Sequence, residues 1–78
     1  MKYLERIRSV FEDSIGPEAA AAVTADADID SVPGWDSQSF ISLVMAIEDA
    51  FQIQLSTMDA AALFSIEAIN EYLERRLS

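Results

Sequence analysis

The stretch Gly34-Trp35-Asp36-Ser37-Gln38-Ser39-Phe40-Ile41-Ser42-Leu43-Val44-Met45-Ala46-Ile47-Glu48-Asp49-Ala50-Phe51 decides the fold. Pro33-Gly34 signals a loop. Asp36 follows as an N-cap, because its carboxylate can accept from a free backbone N–H of the first turn. From Ser37 to Ala50 the apolar residues recur at helical spacing. At roughly 100° per residue, Phe40, Leu43, Val44, Ile47 and Phe51 make one broad stripe, the face expected in the core. Ser37, Ile41 and Glu48 border that stripe, Met45 lies further round, and Ser42 and Asp49 occupy the opposite side. One hydroxyl therefore stands at the mouth of a helix beside an apolar and acidic strip.

Working outward, the spacing predicts a leading helix from about Lys2 to Ser14, with Leu4, Ile7, Val10 and Phe11 on its apolar face. Glu5, Arg6 and Glu12 can stay in water there. Gly16-Pro17 ends it, since proline cannot continue the donor ladder. Glu18 to Val23 is alanine-rich and too short to stand alone, which suggests a turn of helix inside a long loop. Ile29 and Val32 pin that loop to the core. After the central helix, Gln52-Ile53-Gln54-Leu55 alternates as an extended piece with Ile53 and Leu55 inward. A short helix over Met58 to Leu63 follows, capped by Ser56 or Thr57. A last helix capped by Ser65 carries Ile66, Ile69, Leu73 and Leu77 on one face. Its Glu67 sits in the first turn and Arg75 and Arg76 in the last, as the helix dipole favours. The sum is all-α: a four-helix bundle of three long helices and one short, with a loop of about twenty residues between the first two, long for a compact domain.

Composition narrows the chemistry. Seventy-eight residues make a single domain, 1–78, with a core of little surplus stability. There is no cysteine and no histidine, so disulfides, thiol ligands and the commonest general base are absent. A serine hydroxyl alone is a weak nucleophile, and Asp36 is better suited to capping, so the chain is not expected to be an enzyme. Asp26-Ala27-Asp28-Ile29-Asp30 resembles the start of a calcium loop, but Ser31 and Ser37 fall where that loop needs glycine and glutamate; no metal site is expected. Fourteen acidic residues against five basic ones give a net charge of −9, which disfavours nucleic acid and anionic membranes and favours basic protein surfaces. The same charge argues for a monomer and for a fold that loosens at low salt. Met1-Lys2-Tyr3-Leu4-Glu5-Arg6 reads neither as a signal peptide nor as a membrane span, and the expected compartment is the cytoplasm.

Asp36-Ser37, followed by Leu43-Val44-Met45-Ala46-Ile47-Glu48 and then Phe51, resembles the acyl carrier proteins. In that family an Asp-Ser-Leu motif opens the second helix, its serine carries a 4′-phosphopantetheine arm, and a Leu-Val-Met-Ala-Leu-Glu type run follows at this spacing. A tryptophan before Asp-Ser, as at Trp35, is familiar in carriers of specialised pathways. The resemblance runs from about Gly34 to Leu77, and the family shares the up-down bundle and the long first loop. One departure is Gln38, which stands where the motif has leucine, a residue that usually touches partner enzymes.

The resemblance implies that a phosphopantetheinyl transferase joins the arm to Ser37, where a phosphodiester would suit the free N–H groups and positive dipole of a helix start. It implies docking through Gln38, Ile41, Met45, Glu48 and Asp49 on acyl-loading and acyl-transfer enzymes with basic surfaces. An acyl chain held on the arm is expected to slip between helices lined by Leu43, Ile47, Phe51, Leu63 and Ile69, each buried methylene adding at most about 0.8 kcal/mol. Phe11, Phe40, Phe51 and Phe64 compete for that space. The function implied is an acyl carrier of fatty-acid, polyketide or related biosynthesis. An aminoacyl or peptidyl carrier shares fold and serine, and an unmodified acidic helical adaptor would instead hold one partner stably through Ile41 and Met45.

Overall fold

The computed structural model describes residues 1–77. The order is α1 (Leu4–Ser14), α2 (Pro17–Ala21), α3 (Ser37–Phe51), α4 (Thr57–Ala61) and α5 (Ile66–Leu77). Three helices are long and two short. The alanine-rich turn begins at Pro17, whose fixed φ suits a first helical position, and so adds a short fifth helix to the four expected. Helix ends differ from the sequence reading by one or two residues: α1 begins at Leu4, α3 reaches Phe51, and α4 covers Thr57–Ala61.

Helix α1 is the hub, packing closely against α2, α3 and α5. Helix α3 meets α5 chiefly through side chains of the core. Leu43, Ile47 and Phe51 from α3 join Leu63, Ile66, Ile69 and Leu73 in one buried cluster with Ile7, Val10 and Phe11 of α1. The long loop feeds the same cluster through Val23, Ala27, Val32 and Trp35, with Ile29 packed against it. Ile53 and Leu55 close the cluster, half-buried.

Two stripe residues behave otherwise than expected. Phe40 and Val44 are half-buried and lie outside the cluster. The apolar arc of α3 is wider than its neighbours can cover, because α4 is a single short helix and stands off.

The loop is stapled as well as packed. The Ile29 N–H donates to the Phe64 carbonyl at 2.9 Å, and the Ile66 N–H donates to the Ala27 carbonyl at 3.0 Å. These bonds tie the loop to the corner between α4 and α5. Buried Asn70 of α5 accepts the Tyr3 N–H at 2.9 Å, satisfying a donor at the start of α1. Arg6 is not simply solvated: it donates to the Ala50 carbonyl at 2.9 Å and lies 4.2 Å over the Phe51 ring. A long cationic side chain can cover apolar surface and still reach a helix C-terminus.

Candidate functional site

The mouth of α3 is built from Gly34 to Phe40. Gly34 has φ +82°, and a Cβ there would lie 2.8 Å from Ile15 Cγ2, so both backbone and space call for glycine. Trp35 then turns inward. It is only 3% exposed and meets Phe11 edge to face, with centroids 4.9 Å apart. That packing anchors the residue just before the cap and fixes where α3 starts. The sequence signal was there, since an apolar residue preceding an N-cap commonly packs to set the angle of the chain.

Asp36 is extended, and one carboxylate oxygen, Oδ1, accepts both the Gln38 and the Ser39 N–H at 2.9 Å. Ser39 returns the favour: its Oγ accepts the Asp36 N–H at 3.0 Å and donates to the Gly34 carbonyl at 2.7 Å. This is a capping box with serine in the reciprocal place. Ser37 lies between these partners and takes no part. Its side chain is exposed and its hydroxyl has no hydrogen-bond partner among the described residues. Of two neighbouring serines, one is tied to the backbone and one is free. The free one is held on a rigid turn and faces solvent, as an attachment point for a large group requires.

Of the first-turn donors that the anion expectation relied on, only the Ser37 N–H remains free among the described residues. The Gln38 and Ser39 N–H groups already serve Asp36, and the Phe40 N–H bonds to the Asp36 carbonyl at 2.9 Å. A phosphodiester at Ser37 would find these donors occupied and a carboxylate beside it.

Gln38, Ile41, Met45 and Asp49 lie exposed along one side of α3, with Ile41 and Met45 at 68% and 63% exposure. Ile41 and Met45 lie one turn apart, so their side chains make a small exposed apolar strip beside Gln38 and Asp49. Glu48 is placed differently. It is half-buried, and its Oε2 accepts the Leu55 N–H at 2.8 Å, which pins the extended segment after α3. Sequence periodicity gave no hint of that structural task. An open groove continues from Met45 and Asp49 past Gln52 to Arg76.

Leu43, Ile47, Phe51, Leu63 and Ile69 come together in the core, all buried. The depth of Trp35 and a stacked pair formed by Phe40 and Phe64 also escaped the sequence reading. Among the described residues, no group of three or more acidic, histidine or cysteine side chains is placed to hold a metal ion. The Asp28 carboxylate instead turns back to accept the Asp30 and Ser31 N–H groups. No helix among these residues is long and apolar enough to cross a membrane.

An all-helical chain that presents one free serine at the mouth of its central helix has the form of a carrier domain for a covalently attached group. Comparison with known proteins agrees: the phosphopantetheine attachment site family matches residues 5–73. The chain is 37% identical over 71 residues to an acyl carrier protein of Akkermansia muciniphila, covering 91% of this chain and 88% of that one. It is 30% identical over 70 residues to an acyl carrier protein of Phaeodactylum tricornutum, covering 90% and 91%. The chain belongs to the acyl carrier protein family, and its prosthetic group is 4′-phosphopantetheine.

Proposed function

We propose that Ser37 is the attachment residue and that the chain carries acyl intermediates between enzymes of fatty-acid, polyketide or related biosynthesis. The observation that carries this reading is the division of labour at the start of α3: Ser39 is bonded into the cap, while the Ser37 hydroxyl is exposed and unpartnered among the described residues. The residues present fit the group. Ser37 stands on a turn fixed by Gly34, Trp35 and Asp36, so an incoming transferase meets a preset oxygen. That enzyme would supply the base, since the chain has no histidine and Asp36 serves as the helix cap. The Ser37 oxygen displaces adenosine bisphosphate from the pyrophosphate of coenzyme A and keeps the pantetheine half as a phosphodiester. Once attached, the group supplies the thiol that this cysteine-free chain lacks and holds cargo as a thioester.

Asp36 and the occupied N–H groups give the new phosphate little to grip, so the arm is held by its one covalent bond and free to swing. Mobility suits a carrier that visits several enzymes. The exposed side of α3, with Gln38, Ile41, Met45 and Asp49, is the docking face in this reading, and Glu48 contributes only what its bond to Leu55 leaves over. The net charge of −9 supports partners with basic surfaces, association that weakens in salt, and a monomeric carrier. The chain itself is the cargo holder and not the catalyst.

Incubating the folded protein with coenzyme A, magnesium and a broad-specificity phosphopantetheinyl transferase tests this. Intact mass should rise by one phosphopantetheine, and thiol titration should go from zero to one per chain. A folded sample that gains neither would refute the reading.

A further inference from the structure

Phe40 and Phe64 stand apart from the rest of the aromatic residues. Their rings stack with centroids 5.2 Å apart and planes within 17°. Neither belongs to the buried cluster; Phe40 is half-buried and Phe64 is 46% exposed. Along the chain, however, each stands within one turn of a member of that cluster. Leu43, one turn after Phe40, and Leu63, the residue before Phe64, are both fully enclosed. The pair therefore reaches from α3 to the corner between α4 and α5.

Both sides of the pair are anchored. Phe40 sits in the first turn of a capped helix. The Phe64 carbonyl accepts from Ile29, and Ile66 donates to Ala27, so the corner is held by the long loop. The backbones on both sides are hydrogen-bonded in place, so opening the pair would take only side-chain rotation. Ser37 lies one helical turn before Phe40, on the same side of α3.

We propose that the Phe40–Phe64 stack is a clasp on this seam, that a chain carried at Ser37 reaches Leu43, Ile47, Leu63 and Ile69 only by parting the rings, and that the clasp thereby sets how long a chain must be before it is buried. The proposal rests on Ser37 being the attachment residue. Parting the rings is a fixed cost, whereas the driving force to leave water grows with each methylene. Short acyl groups stay outside, where partner enzymes can take them. Longer ones cross the threshold and enter. Side-chain rotation in half-exposed residues is fast compared with enzyme turnover, so the clasp sets an equilibrium and not a rate.

The test uses the intact protein loaded with a graded series of straight acyl groups, with loading confirmed by mass. For wild type, Phe64→Ser, Phe40→Ala and Phe64→Tyr, the melting temperature of each acyl form is compared with that of the same variant's holo form, which cancels the loss of the stack itself. Nuclear Overhauser contacts from the chain's terminal methyl to Leu43 and Ile69 report burial independently. Wild type should show a rise only beyond a threshold length. Phe64→Ser and Phe40→Ala should cross at shorter lengths, with the buried-to-exposed ratio of a given chain moved about two- to tenfold, the range one aromatic pair supports. Phe64→Tyr, which keeps the ring, should follow wild type. Equal increments in wild type and Phe64→Ser at every length would overturn the clasp alone. Failure of folded protein to load at all would overturn the Ser37 reading and the clasp with it.

Discussion

The two ends of α3 are closed by different means. At the N-terminus every hydrogen-bond partner lies within five residues: Asp36 holds Gln38 and Ser39, and Ser39 holds Asp36 and Gly34. At the C-terminus the partners come from elsewhere. Arg6 reaches across from α1 to the Ala50 carbonyl and the Phe51 ring, while Glu48 catches the Leu55 N–H as the chain leaves. Gln52, at φ +55°, stops the helix in a left-handed conformation. The difference separates two jobs. The C-terminal end fastens α3 to the bundle. The N-terminal end completes itself locally and stands on Trp35, so the neighbouring serine hydroxyl is left unused and outward.

The comparison breaks most severely at its footing. Trp35→Ala should cost about 3–5 kcal/mol, as removal of a buried aromatic residue does, and in a chain this small that leaves much of the population unfolded. Urea titration would show it; a loss under 1 kcal/mol would mean that Phe11 is not the support. Asp36→Ala comes next. It should cost about 1 kcal/mol, up to 2, and slow phosphopantetheine uptake, because the first turn that positions Ser37 would fray. Arg6→Ala sharpens the contrast. Its cost should be similar, about 1 kcal/mol from the lost cation–π contact and hydrogen bond, but uptake at the far end should stay unchanged under conditions where the protein remains folded. Smallest in stability is the double substitution Ile41→Ser with Met45→Ser, within about 0.5 kcal/mol of wild type. Acyl transfer by a partner enzyme should nonetheless slow, through KM before kcat, if that side is where partners dock.

Locality also explains what could be read without coordinates. Asp36 as a cap, the start of α3, the Ser56 cap of α4 and the Ser65 position before α5 follow from residues three or four apart, and they emerge as expected. The core faces of α1 and of α5 as far as Leu73 follow from periodicity, whereas Leu77, on the same stripe, is exposed. Phe40 and Val44 were misplaced because periodicity reports the width of an apolar arc, not how much of it the neighbours cover. Arg6 on Phe51, Asn70 on Tyr3 and Glu48 on Leu55 join elements whose mutual placement no local pattern encodes. The free-serine motif was legible as a pattern. The motif already named Ser37; what no pattern showed is that Ser39 is tied down while the Ser37 hydroxyl is left free, because that depends on a turn that lets Ser39 reach back to Gly34.

The most direct test of the account is therefore a comparison of serines. Wild type, Ser37→Ala and Ser39→Ala, each shown to be folded, are incubated with coenzyme A and a phosphopantetheinyl transferase and weighed intact. Wild type and Ser39→Ala should each gain one phosphopantetheine, the latter more slowly, and Ser37→Ala none. An arm on Ser37→Ala, or a folded Ser39→Ala that never accepts one, would contradict the assignment of the free hydroxyl as the attachment point.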